Sequence, residues 1–201
     1  MNHHRLATLV ILAAALGAAG LTPFVSQAEV IIYTASLSGP AEEPPNASPG
    51  TGFAQIDYDD VLHTMRLQVT FSDLLGTTTV AHVHAPTADP FAGNVGVAFQ
   101  TGTFPGFPVG VTSGVYDHTF DMTDDSIYTV SFLTNSGGGT AAGAEAALVD
   151  SFLAGKAYVN IHTSQFGGGE IRGFLQPIPE PSILVLLGAG AVGLMGFRSR
   201  R

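Results

Sequence analysis

The clearest pattern in the chain lies between His63 and Phe71, where Met65, Leu67, Val69 and Phe71 alternate with Thr64, Arg66, Gln68 and Thr70. A period of two sends the two sets to opposite faces of an extended chain, so this segment reads as a half-buried strand. The alternation recurs in Tyr33, Ala35 and Leu37, in Ala54, Ile56 and Tyr58, and in Val95, Val97 and Phe99. Val115–Met122 repeats it with Tyr116, His118, Phe120 and Met122 aligned. Val80–His84, Ile127–Leu133, Ala157–His162 and Glu170–Leu175 read as further strands. Gly39–Thr51 and Thr101–Gly110 are rich in proline and glycine and read as loops. Helical spacing is confined to Ala144–Ala154, with Ala147, Leu148, Phe152 and Leu153 as its apolar positions and Gly155 as its stop. Many short strands and one short helix predict an all-β domain, an antiparallel β-sandwich or flattened barrel.

The two ends follow other rules. A basic start through Arg5 precedes an apolar run from Leu6 to Ala19, and Ser26-Gln27-Ala28 supplies small residues at a cleavage site. This pattern predicts a signal peptide over 1–28, cut after Ala28 by signal peptidase. At the other end, Pro179-Glu180-Pro181 leads into an apolar run from Ile183 to Phe197, closed by Arg198, Arg200 and Arg201. Such a run makes about 22 Å of helix, short for a membrane span unless the arginines snorkel. The basic end stays on the cytoplasmic side and the body outside. The chain therefore divides into 1–28, a β domain at 29–177 and a tail at 178–201 with a hydrophobic helix.

The order Pro179, Glu180, Pro181, apolar helix, arginine cluster resembles a PEP-CTERM sorting signal. The resemblance implies recognition and cleavage by a membrane-embedded exosortase in a Gram-negative bacterium. It also implies transient inner-membrane association through the tail helix. The product would be at the cell surface or extracellular, either anchored or released.

Charge narrows the partners. Between the two signals, fifteen Asp and Glu face three basic residues, Arg66, Lys156 and Arg172. That excess argues against nucleic acid and anionic membrane surfaces. The chain has no cysteine, so neither disulfides nor thiolate metal sites are available. Asn46-Ala47-Ser48 forms a sequon, but Pro49 follows it and the tail is bacterial in type. The carboxylate pairs Glu42-Glu43, Asp59-Asp60 and Asp124-Asp125 read as solvated acidic surface.

Candidate chemistry sits in three strands. His82 and His84, two residues apart, share a face about 7 Å apart along the chain, close enough for both imidazoles to meet one ion. In Tyr158–Thr163, the residues Tyr158, Asn160 and His162 share a face opposite Val159 and Ile161. Glu170 and Arg172 follow a loop short enough to make the last two strands a hairpin, which brings His162 and Glu170 to one end. His63 and His118, on apolar faces, read as structural. No nucleophile elbow, phosphate loop or nucleotide fingerprint is present, so no catalytic residue is assigned.

Leu37–Pro45, Ala81–Pro86, Tyr158–Thr163 and Gly169–Gly173, in that order, resemble the CHRD domain. The resemblance spans about Val30 to Leu175 and implies an extracellular β module without a defined reaction. The departure is Pro86 and the insert Thr87–Gly93, which leave the loop beside the histidine pair undefined. As exported modules, such domains could bind extracellular polysaccharide or surface proteins. Two readings of the polar cluster stand together. In one, His82, His84 and His162 bind copper or zinc, with Glu170 as ligand or support. In the other there is no cofactor: His82 or His162 hydrogen-bonds Glu170, Arg172 pairs with a carboxylate, and the network fixes strand register. The His-x-His strand also resembles copper-zinc superoxide dismutase, whose bridging histidine and further zinc ligands have no counterparts here.

Overall fold

The structure is a computed structural model and describes residues 30–179. The expected signal peptide with its cut at Ala28, the motif residues Glu180 and Pro181, and the tail helix with Arg198, Arg200 and Arg201 lie outside the described residues. Among the described residues, no helix is long and apolar enough to cross a membrane.

Nine strands of the described residues form one antiparallel sheet. They are β1 (Val30–Ser38), β2 (Thr51–Asp59), β3 (Thr64–Ser72), β4 (Thr78–His84), β5 (Val97–Phe99), β6 (Gly114–Asp121), β7 (Tyr158–Thr163), β8 (Ile171–Phe174) and β9 (Gln176–Pro177). Their order is β5-β4-β7-β8-β1-β2-β3-β6, with β9 added against β1. Register follows the alternation. Tyr33 pairs with Ile56, Ile56 with Leu67, and Leu67 with His118, so the buried set of each strand lies beside that of the next. The sheet curls into a half-barrel until its two end strands meet through side chains. Phe99 of β5 lies edge-on to Phe120 of β6, ring centroids 4.8 Å apart.

The β2–β3 turn is set by Asp59, whose carboxylate accepts from the backbone N–H of Val61 and Leu62 at 3.0 and 2.8 Å. His63 closes this turn with φ 51°, one residue before the strand. Its Nδ1 lies 3.0 Å from both oxygens of Glu145, and Glu145 also accepts from the Tyr58 hydroxyl at 2.8 Å. His63 is thus structural through a polar contact, not through the apolar face of β3. His118 is half-buried on the face of β6 that carries Tyr116 and Phe120, with the Phe120 ring 4.6 Å away.

Among the described residues, two α-helices cover the open side. α1 (Val130–Asn135) occupies most of the segment expected as a strand at Ile127–Leu133. The β-branched and aromatic residues there suggested extension, yet Thr129 caps a helix by accepting from Phe132 N at 3.3 Å. Only Tyr128, bridged to Phe99, and the cap residue Thr129 stay extended. Phe132 is then buried while Val130 faces solvent. α2 (Ala141–Leu153) is the expected helix begun three residues earlier, with Thr140 as N-cap. It buries Ala144, Leu148 and Phe152 against the sheet, and Phe152 packs 5.2 Å from Tyr33. Gly155, at φ 64°, ends it as expected, with Lys156 N donating to Ser151 O at 2.8 Å. The long loop after β5 contributes to the core, since Phe104 and Phe107 are buried against Tyr116.

Candidate metal centre

β7, and β4 from Ala81 to His84, are buried on both faces. Ala81, Val83, Val159 and Ile161 enter the core. On the other face His82 pairs with Asn160 and His84 with Tyr158 across the ladder. Loops cover this second face. A register shift at Val83/His84 in the pairing with β5 interrupts the ladder beside His84, a place where sheets re-aim side chains.

His82, His84 and His162 converge there, each only 8 % exposed. One ligand atom from each lies within 4.8 Å of the others, and these three form the potential metal-holding group among the described residues. Each ring has its Nδ1 against a backbone carbonyl. His82 meets Gly102 O at 2.9 Å, His84 meets Val95 O at 2.7 Å, and His162 meets Gly167 O at 3.0 Å. A carbonyl oxygen only accepts, so all three Nδ1 atoms carry hydrogen and all three Nε2 atoms present lone pairs. The Nε2 atoms of His82 and His162 stand 2.9 Å apart, and the buried Nε2 of His84 has no hydrogen-bond partner.

A proton is a poor occupant. Burial pushes His82 down to about 4, with the Gly102 carbonyl opposing and His162 adding to the fall. Burial and then His82 push His84 down to about 4, and burial lowers His162. At neutral pH the rings are uncharged, and bare lone pairs face one another.

The flanks are rigid. Tyr158 stacks on His84, centroids 4.7 Å apart and planes 9° apart, and the Arg172 guanidinium covers the Tyr158 ring at 4.7 Å. Arg172 donates to Ala41 O at 2.6 Å, Gly93 O at 3.1 Å and Asn94 Oδ1 at 2.7 Å. It also pairs with Glu43 at 3.3 Å, with Glu42 at 4.0 Å. The expected carboxylate partner is therefore present. Glu42, expected on a solvated surface, is buried against Arg172. Burial pushes its carboxyl up to about 7, against the pull of Arg172 and a backbone hydrogen bond.

Glu170 stands apart from the imidazoles. Its Oε1 accepts from Ser48 Oγ at 2.6 Å and Leu75 N at 2.5 Å. Its Oε2 accepts from Gly76 N at 3.0 Å and Thr163 Oγ1 at 2.6 Å. Burial works to raise its pKa, but these four hydrogen bonds outweigh it and hold the carboxyl below the ordinary value. The hydrogen bond to His82 or His162 that the network reading expected is replaced by this set. The sequon residues belong to the same knot, with Asn46 Nδ2 donating to Glu170 O at 3.0 Å. Sequence reasoning missed Ser48, Leu75, Gly76 and the three carbonyls. Apart from the Ser48 hydroxyl, these act through the backbone, which leaves no mark in side-chain identity.

The fold and site define a β module with a buried three-imidazole cluster on one face of its sheet. Residues 33–175 match the CHRD domain, and the chain belongs to that family. Residues 177–201 match the PEP-CTERM protein-sorting motif. No curated protein and no solved structure matches the chain significantly. The sorting motif makes this an exported protein, processed by an exosortase and directed to the cell surface or extracellular space.

Proposed function

We propose that this protein is a surface-delivered module that binds one transition-metal ion, copper or zinc, through His82, His84 and His162. The observation that carries this reading is the set of three Nδ1–carbonyl hydrogen bonds, which turns three bare Nε2 atoms inward. Metal-ligating histidines are oriented in this way, the outer hydrogen bond fixing tautomer and ring plane. Imidazole nitrogen suits both ions. Glu170, Arg172 and Tyr158 brace the site without ligating. The role is binding rather than catalysis, since the carboxylate that a catalytic reading would recruit as base, Glu170, already accepts four hydrogen bonds. Extracellular polysaccharide or surface proteins are the partners such a module would meet.

Elemental analysis of the intact purified protein tests the reading. One equivalent of copper or zinc is expected, lost in the His82→Ala/His84→Ala double variant. Metal-free protein whose melting temperature ignores added copper and zinc would sink it.

Delivery follows three steps: removal of residues 1–28 by signal peptidase after Ala28, transient inner-membrane retention through the apolar stretch 183–197, and exosortase cleavage near Pro179-Glu180-Pro181. The domain proper is then 29–177 and the tail 178–201. Changing Glu180→Ala should leave an uncleaved, membrane-retained precursor, whereas normal release would count against retention and cleavage at this motif.

A further inference from the structure

The geometry points to copper(II) in a T-shaped set of three nitrogens, with His82 as the stem and His84 and His162 as the arms. This rests on the metal-binding reading above and specifies its ion. The three imidazoles are not evenly spaced. The His82 ring centroid lies 4.7 Å from that of His84 and 4.7 Å from that of His162, while His84 and His162 are 6.0 Å apart. His82 stands between two rings that are kept away from each other.

A tetrahedral ion would ask for something else. Three ligands of a tetrahedron are equivalent, so the three pairs share one spacing, and with metal–nitrogen bonds of about 2.0–2.1 Å the nitrogens would stand about 3.3 Å apart. The Nε2 atoms of His82 and His162 are 2.9 Å apart, which at those bond lengths subtends an angle of about 90° at the ion. With each ring aimed through Nε2 at a shared ion, its centroid about 3.2 Å away, the two short centroid separations subtend about 95° each and the long one about 140°. That unequal, T-like set is closer to three corners of a square than to a tetrahedral face, and a square-planar or tetragonal set of nitrogen and oxygen donors selects Cu(II) or Ni(II) over Zn(II). Of those two, copper binds more strongly in the general affinity order. The fourth corner, opposite His82, falls to a small exogenous oxygen donor such as water.

The rings cannot easily shift toward a tetrahedral tripod. Each Nδ1 is tied to a carbonyl from a different loop, at Gly102, Val95 and Gly167. His84 is further clamped by its stack on Tyr158 beneath Arg172. Moving His84 toward His162 would break that stack and the Val95 hydrogen bond together.

The test uses the intact chain, loaded separately with Cu(II) and with Co(II). Electron paramagnetic resonance of the copper form should give an axial spectrum with superhyperfine coupling to three nitrogens. The count should drop to two in His162→Gln, a variant that keeps the stem and one arm. The cobalt form should show only weak visible absorption. From an equimolar mixture of Cu(II) and Zn(II), copper should be retained in excess by about tenfold or more. An intense tetrahedral cobalt spectrum, a strongly rhombic copper signal, or preferential retention of zinc would each overturn the T-shaped assignment and leave ion binding standing. Failure to retain any of the three ions after desalting would overturn both the assignment and the reading beneath it.

Discussion

Replacing Glu170 by glutamine changes one oxygen for one NH2 group and almost nothing in volume, so it isolates the charge and its acceptors. Each carboxylate oxygen takes one hydroxyl and one backbone N–H: Ser48 and Leu75 on Oε1, Thr163 and Gly76 on Oε2. Glutamine can satisfy one such pair through its own oxygen. On the other side its NH2 faces a hydroxyl and an amide. The hydroxyl can rotate to accept, but the amide N–H cannot, and it is stranded in a site where Glu170 has no exposure. A stranded buried donor costs about 1–3 kcal/mol, and hydrogen bonds to a charged acceptor are worth about 1.5–3 kcal/mol each. The expected loss is therefore about 3 kcal/mol, or a melting temperature lower by about 6–12 °C for a domain of this size. Thermal unfolding by circular dichroism at pH 7 measures it. The carboxyl is held below its ordinary value in the folded state, so its contribution is present above the unfolded pKa and fades as pH falls through the folded one. The difference between the two proteins should narrow on acidification. An unchanged melting temperature at pH 7 would refute the argument that this carboxylate ties the Ser48 and Leu75–Gly76 loops to β7.

Three further outcomes are expected. Glu42, pushed up to about 7 from 4.5, favours folding in its protonated form, a contribution present below the unfolded pKa and lost as pH rises through about 7. Glu42→Gln, fixed in the neutral form, should match the parent near pH 4 and exceed it by about 3 kcal/mol near pH 8 in denaturant titrations, and equal curves at both pH values would disprove the assignment. In the ion-free protein with Glu42→Gln, stability should fall as pH drops from 6.5 toward about 4, because the unfolded chain protonates His82 and His84 before the folded one does. One ring shifted that far accounts for about 3 kcal/mol, and a flat profile over that window would contradict the burial of neutral imidazoles. Gly155→Ala should cost about 1–3 kcal/mol, because the position has φ 64° and the new Cβ runs into the Phe91 ring; a stability within experimental error of the parent would count against it.

The sequence conveys period-two burial well. Met65, Leu67, Val69 and Phe71 are buried as their spacing requires, and the same reasoning placed β1, β2 and β6. It failed at Ile127–Leu133, where composition favoured a strand and a threonine cap with one buried phenylalanine produced a helix. The site was legible to the same depth. His82, His84 and His162 come together because alternation sets faces and the β7–β8 hairpin sets neighbours, but the sequence could not show that β4 pairs with β7 across some eighty residues, Val80 opposite His162. Glu170 was read as close to the histidines because hairpin geometry brings the backbones together. Its side chain instead turns to the loops at 48 and 75–76, whose approach depends on the whole sheet curling.

The curl itself has a dynamic consequence. The two ends of the sheet, β5 and β6, close on each other through the Phe99–Phe120 ring contact rather than through a ladder. Parting them breaks no β5–β6 ladder, only ring contacts and the short backbone bridge from β5 to Ile127–Thr129, so this seam should open at a lower free energy than global unfolding. Val95, whose carbonyl orients His84, lies two residues before β5. An ion seated on His84 would therefore act as a latch on that seam, and its departure would let the edge of the barrel loosen while the rest of the sheet keeps its register.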